Sequence, residues 1–368
     1  TLNVESGGVV ANKDGYIAWE SGSSGVVEVS GTGSTWTNSR DLYVGKSGSG
    51  SVSITDSGAV QVGGIAKLYA NGTMNIDGGT MSVVETLELD AGSTVNLNSG
   101  TLSVTSFSGD GSLVWNAGTL ELTGPAGLTV GDSGLLRSSL LTLDADQTLN
   151  VTNTTTIESE ARITALGDFS SDLLKIESGG QFNAPSGYTN HDEIQLSGTD
   201  ARITGGTLTN DGLLRGVGRV EATLANSASG EIRVGAGQEM HFTGLEAHNN
   251  AGLIKAIGTT LNWAEVEFDA ALMNVTVTGL IVGRNATFRF NNGLTNNGSV
   301  AMSFGTNDVF GGVTNSATGT IAVAGNSQAT FYSDVDNSGV LNVATGSTAV
   351  FFGSLTGNGN VGTCFCQR

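Results

Sequence analysis

Cysteine is almost absent from this chain of 368 residues: Cys364 and Cys366 stand close together at one end, and the rest has none. A disulfide framework is therefore excluded as the source of stability, and packing must supply it, as suits an exported protein. Cys364-Phe365-Cys366 is also too tight a spacing for an easy internal bridge, because neighbouring side chains on a strand diverge. It reads as a tail or a truncation scar, with intermolecular pairing as the sharper alternative. Proline is equally scarce, with 2 residues, and no Pro-rich tract or charge run marks a disordered segment. Charged residues make up 13%, about half the usual share. Basic residues are scarcer still: 15 Lys and Arg stand against 34 Asp and Glu, for a formal net charge of −19. The sequence shows neither a basic stripe nor a basic tail. That argues against nucleic acid and against an anionic membrane surface as partner. The acidic excess reads first as solubility. No apolar run approaches the ~20 residues that a membrane-spanning helix needs, so no membrane insertion by this segment is expected. No charged stretch followed by an apolar one opens the chain. Thr1 starts in mid-pattern, which reads as a processed product or a fragment.

What is abundant is glycine, 56 residues, roughly twice the ordinary share, set among regularly spaced Val, Ile and Leu. Such a composition predicts many short strands and tight turns. The strands repeat. Gly58-Ala59-Val60-Gln61-Val62 is followed by Gly79-Thr80-Met81-Ser82-Val83, Gly100-Thr101-Leu102-Ser103-Val104 and Gly118-Thr119-Leu120-Glu121-Leu122. Further alternating strands lie between them, such as Thr73-Met74-Asn75-Ile76 and Thr94-Val95-Asn96-Leu97. In the last third, related units open with Asn at Asn296, Asn315 and Asn337, with earlier copies from Asn210, Asn226 and Asn249. The long gap from Asn249 to Asn296 hides a degenerate copy.

A unit of about 20 residues with two or three short strands cannot bury its own apolar face, but stacking unit on unit does so. The expected fold is all-β: a parallel β-helix, or β-solenoid, with roughly 17 coils of about 20 residues. Gly and Asn are expected at the corners, where left-handed φ costs them least, and stacked Asn side chains are expected to form ladders. A propeller would need blades of about 40 residues. A calcium-binding nonapeptide solenoid would need tandem Gly-Gly-x-Gly-x-Asp units, and neither pattern occurs. The reading divides the chain into regular Gly-initiated coils over 1–134, less regular coils over 135–205, Asn-Ser-Gly coils over 206–358, and a tail over 359–368. Arg137, Arg162, Lys175 and Arg202 fall in the irregular part. There, residues 159–174 read as degenerate solenoid, with a short helix or longer loop as the competing expectation.

The string Gly33-Ser34-Thr35-Trp36-Thr37-Asn38-Ser39, Leu42-Tyr43-Val44-Gly45, Gly48-Ser49-Gly50-Ser51-Val52-Ser53-Ile54 resembles the repeat of bacterial autotransporter-type passenger proteins, including those associated with the PEP-CTERM export system. The close match covers one unit, with looser copies over 73–122. The resemblance implies a right-handed β-helix displayed outside the cell and serving adhesion, coating or matrix. The chain departs from a full autotransporter in showing no run of ten-residue amphipathic strands for a membrane barrel.

Candidate chemistry is sparse. Gly131-Asp132-Ser133-Gly134 looks like the nucleophile string of chymotrypsin-type proteases, whose His precedes the Ser. Here His191, His241 and His248 all follow it, and Gly, Asp and Ser are ordinary turn residues. Asp144 with Asp146, and Asp168, Asp172 and Glu177, are the nearest match to the carboxylates of a polysaccharide-cleaving β-helix enzyme, but no Arg or Lys cluster converges on them. His191-Asp192-Glu193, and His241 with His248, are isolated for metal ligands. The sequons at Asn71 and Asn150 arise by chance in a chain this rich in Asn, Ser and Thr. No catalytic residue, cofactor site or metal site is assigned, and scattered Asp and Asn corners offer oxygen ligands for weak Ca²⁺ binding only.

The expectation is thus an extracellular structural or adhesive solenoid, not an enzyme, with a polysaccharide-active lyase or hydrolase as the alternative. Its expected partners are itself, through head-to-tail or lateral assembly, and cell-surface or matrix glycans. A row of exposed aromatics would mark glycan binding. Trp19, Trp36, Trp115 and Trp263 are too far apart in sequence to form such a row unless the coils align them.

Overall fold

The computed structural model describes residues 1–131, 138–269 and 271–364. It is all-β among the described residues, a parallel β-solenoid with about 21 residues per coil. The chain divides into two compact units, residues 1–156 with 165–172, and residues 157–164 with 173–368.

In the first unit, the coils run over three faces, and Thr80–Leu89 and Thr101–Gly109 each cross two of them as one strand. One face stacks Leu2–Glu5, Ser24–Ser30, Ser49–Thr55, Gly72–Asp77, Thr94–Leu97 and Ser112–Trp115. The strands read from the sequence pair in register: Ala59, Thr80, Thr101 and Thr119 form one outward row, and Val60, Met81, Leu102 and Leu120 the inward row beside it. Period-2 alternation points every second side chain inward, so one apolar residue repeats at each position. Val29, Ile54, Ile76 and Leu97 form another such row, all fully buried. Each such side chain stabilises the fold by about 1.5–3 kcal/mol, an upper bound.

The second unit is built alike. Ile194, Leu214, Ile232, Ile254, Ile281, Val300, Ile321 and Leu341 form a row of eight rungs. Phe242, Phe268 and Phe290 stack inside on successive coils, with centroids 4.8 and 5.6 Å apart. The stretch read as irregular is strand as well, with Arg162–Ala165 and Asp168–Glu177 where a helix or loop competed. Its strands are simply longer, up to Glu193–Gly205, which bends across a corner between Ser197 and Arg202.

Glycine behaves as expected. Gly100 has φ +83°, and a Cβ there would lie 2.1 Å from the Gly79 carbonyl oxygen. The repeat asparagines do not. None of Asn210, Asn226, Asn250, Asn296, Asn315 and Asn337 has positive φ. Each ends a strand on the third face with its side chain turned inward and buried. They are selected for an internal hydrogen-bond ladder, not for a left-handed corner. Asn190 donates to Asn210, Asn210 to Asn226 and Asn226 to Asn250, at 2.6–2.7 Å. The rung is Asn250, one residue beyond the Asn249 marked by the repeat. The hidden copy is Met273–Val275, where Val275 replaces the asparagine.

Candidate functional surface

The inward positions are filled by core, so any function must lie on the outward ones. The first unit carries an outward aromatic cluster. Tyr16 and Tyr43 occupy the same position on adjacent coils. Their rings stack with centroids 5.3 Å apart and planes 17° apart. Trp19, in the corner after the Gly15–Ile17 strand, stands nearly perpendicular to both, at 4.8 and 5.6 Å, and edge-on to Tyr69 at 6.4 Å. Because it meets two parallel rings at once, Trp19 lies across their edges. The Lys46 ammonium sits 3.6 Å from the Trp19 ring centroid, within cation–π range. The Tyr43 hydroxyl donates to Asp41 at 3.1 Å. Burial first, and then Asp41, pushes the Tyr43 hydroxyl above its usual pKa. Tyr16 is 55% exposed.

The second unit carries its own aromatic row. The Arg289 guanidinium lies 4.3 Å over Phe310. Phe310 stacks on Tyr332 at 4.3 Å, and Tyr332 on Phe352 at 5.3 Å. Exposure rises along the row, from 40% at Tyr332 to 71% at Phe352. Asp308 lies opposite Thr330 and hydrogen-bonds the Tyr332 hydroxyl; its pKa is raised by burial, against the pull of these partners.

Basic residues are more ordered than the sequence suggested. On one outward row of the second unit, Lys175, Gln195, Arg215, Arg233 and Lys255 occupy successive rungs. On another, Arg162, Gln181, Arg202, Arg219 and His241 do the same. No basic stripe is visible along the sequence; these rows form because residues some 20 apart in sequence meet once the coils stack. The only sequence trace of this is that seven of the Lys and Arg residues recur at coil-like intervals between 162 and 255.

The candidate catalytic carboxylates do not converge. Asp144 and Asp146 are exposed in the turn before the Gln147–Ile157 strand, where their carbonyls accept backbone hydrogen bonds from Gln147 and Gly118. Asp168 and Asp172 lie exposed in the first unit, four residues apart on one strand, which is about 13 Å. Glu177, in the second, pairs with Lys175 at 3.0 Å. His191 is 72% exposed, 3.5 Å from Asp211, and Glu193 pairs with Arg215. His241 and His248 separate completely. His248 is fully buried in an otherwise apolar row; its Nδ1 accepts from the Leu224 amide at 3.1 Å, and burial lowers its pKa to about 4. His241 is outward, with Nε2 2.7 Å from Glu239 and Nδ1 2.9 Å from Glu267. These three are the one trio of His and carboxylates close enough to share an ion among the described residues. A hard cation such as Ca²⁺ prefers oxygen ligands alone. Asp132, Ser133, Gly134, Arg137 and Cys366 lie outside the described residues, and Cys364 ends the Asn360–Cys364 strand.

The tryptophans form no platform. Trp36 is 3% exposed, and its indole N–H donates to Asn12 at 2.6 Å inside the first unit. Trp115 donates to the Gly118 carbonyl at 3.2 Å, and Trp263 lies in the second unit. Only Trp19 joins an outward cluster, and its companions are tyrosines. A depression of about 240 Å³ bordered by Thr37, Gln61, Ser82 and Val84 is smaller than the ~300–1,000 Å³ of ordinary ligand clefts.

No protein-family model and no curated protein matches the chain. Among solved structures it is similar to the TibC-catalysed hyper-glycosylated TibA55-350 fragment, at 11% identity and a TM-score of 0.24, over 88% of this chain and 97% of that one. A likeness at that score carries no functional weight.

Proposed function

We propose that the chain is an extracellular, non-catalytic adhesive β-solenoid that contacts surface or matrix glycans through outward aromatic side chains. The observation that carries this reading is the pair of exposed aromatic clusters, one in each unit. Leaving Tyr16 and Phe352 so open to water forgoes hydrophobic stabilisation, and contiguous exposed apolar patches mark interaction surfaces. Tyr and Trp suit that role because they offer a rigid apolar body with a polar tip. In the first unit Ser51, Thr73 and Thr94, and beside them Ser53, Asn75 and Asn96, form polar rows on successive coils, a surface for many weak repeated contacts. The test is binding of the fluorescently labelled chain to intact cells and to immobilised glycans. Joint Tyr16→Ser, Trp19→Ser and Phe352→Ser substitution is expected to lower binding at least about tenfold with the fold intact.

One observation favours a second reading, a polysaccharide-cleaving enzyme: Glu239, His241 and Glu267 lie together between Arg219 and Arg289. Against it, both ring nitrogens of His241 are already engaged by carboxylates, which leaves none for a substrate proton. Release of new reducing ends from an acidic polysaccharide, abolished by His241→Gln, would establish the enzyme and set the adhesive reading aside.

A further inference from the structure

A chain with 34 acidic and 15 basic residues has carboxylates enough to separate every cation from the next. The second unit does the reverse. Arg202 lies directly opposite Arg219, and Arg215, Arg233 and Lys255 occupy three consecutive rungs. Like charges set directly opposite destabilise a sheet. Neutralisation from within is partial. Arg215 pairs with Glu193, and Arg233 with Glu231 at 2.9 Å, while Arg202 reaches Glu221 only at 3.8 Å. Arg162, Arg219 and Lys255 make no ion pair among the described residues, and Arg162, Arg202 and Arg219 are exposed. Gln181 stands in the row between Arg162 and Arg202, and beside that row runs a neutral one of Thr164, Asn183 and Thr204. Gln181 donates to Thr204 and Thr204 to Asn183, both at 2.9 Å.

We propose that this surface binds a linear acidic polysaccharide, whose carboxylate or sulfate groups lie against Arg202 and Arg219 on adjacent rungs while its hydroxyls meet Gln181, Asn183 and Thr204. Guanidinium groups take such anions bidentately. The rungs repeat at about 4.8 Å, close to the length of one monosaccharide unit, so a linear polymer along the stack keeps its anions in step with the side chains. The overall acidity repels a denser polyanion at long range, which favours a polysaccharide over nucleic acid. The inference rests on the adhesive reading in that the ligand is a glycan, but it uses different residues.

The test compares binding of the whole chain to a polyuronate, a sulfated glycan, a neutral glucan and duplex DNA, across about 50–200 mM salt. The polyuronate or the sulfated glycan is expected to bind with salt-dependent affinity, and the glucan and DNA much more weakly. Joint Arg202→Gln and Arg219→Gln substitution is expected to weaken binding at least about tenfold, with partial recovery in the Lys pair. Arg40→Gln in the first unit should change nothing. The double variant removes a like-charge contact, so its melting temperature should hold or rise, and misfolding does not confuse the result. Equal binding of the neutral glucan, indifference to the double variant, or tighter DNA binding through the same arginines would each overturn the proposal. Loss of this binding with Trp19-dependent cell adhesion intact would sink the inference alone. Acidic-glycan binding without any cell adhesion would sink the adhesive reading instead.

Discussion

Asn250 and Val275 occupy the same inward position on adjacent coils, and between them the buried asparagine ladder stops. Asn250 turns its Nδ2 to the Leu280 carbonyl at 3.3 Å, and on the far side the Asn296 Oδ1 has no hydrogen-bond partner among the described residues. Beyond that gap the ladder resumes from Asn296 through Asn315 to Asn337, at 2.7 Å per rung. Val275→Asn supplies an acceptor for Asn250 and a donor for Asn296. It should raise stability by about 1 kcal/mol, although it removes a buried valine. A lower urea midpoint for this variant would show that the ladder does not span the site.

Within the unbroken stretch the opposite change is costly. Asn210→Ala strands the Asn190 donor and the Asn226 acceptor, both buried. The expected loss is about 2–4 kcal/mol, read from denaturant unfolding. A loss under half a kilocalorie would mean that water satisfies the rungs.

Acid should act through His248. Its folded pKa is lowered to about 4, below the ordinary unfolded value of about 6.5. The unfolded chain therefore binds the proton first as pH falls. The stability that this neutral histidine contributes is fully present above about pH 6.5 and is lost towards pH 4, amounting to roughly 3 kcal/mol there. His248→Leu, which matches Leu224 and Met273 on either side, should flatten the melting temperature over that window. An unchanged pH profile in the variant would assign the loss to other groups.

Coil stacking is least forgiving where a corner glycine touches backbone. Gly311 has φ +95°, and a Cβ there would sit 1.9 Å from the Phe290 carbonyl oxygen. Gly311→Ala should cost more than about 2 kcal/mol, through strain and displacement of the coil below. Gly7, with φ +79° and open space around its Cβ position, isolates the conformational part and should cost less under the same melt.

The exposed aromatics should behave in the reverse way. Phe352→Ser removes a side chain that is 71% exposed, so its melting temperature should change by no more than a degree or two. Binding to immobilised glycans should nevertheless fall. A large drop in stability would recast the Phe310, Tyr332 and Phe352 row as packing.

The solenoid was legible in the sequence because a stack of short strands imposes one period on the whole chain. Val60, Met81, Leu102 and Leu120 recur at the spacing that later places them in one inward row. The period locates rungs, but it does not say which way a polar side chain turns. Asn210 and Asn226 recur just as visibly, and a ladder is expected of them, yet only the third face shows that it runs inside the coil. Outward chemistry was hidden for a different reason. Arg202 and Arg219, or Tyr16 and Tyr43, are ordinary surface residues when read along the chain and become neighbours only through coil-to-coil register. Local alternation and turn chemistry thus determined the coil, whereas the side chains that gather on its outside were decided by how many residues each turn spends before the next rung.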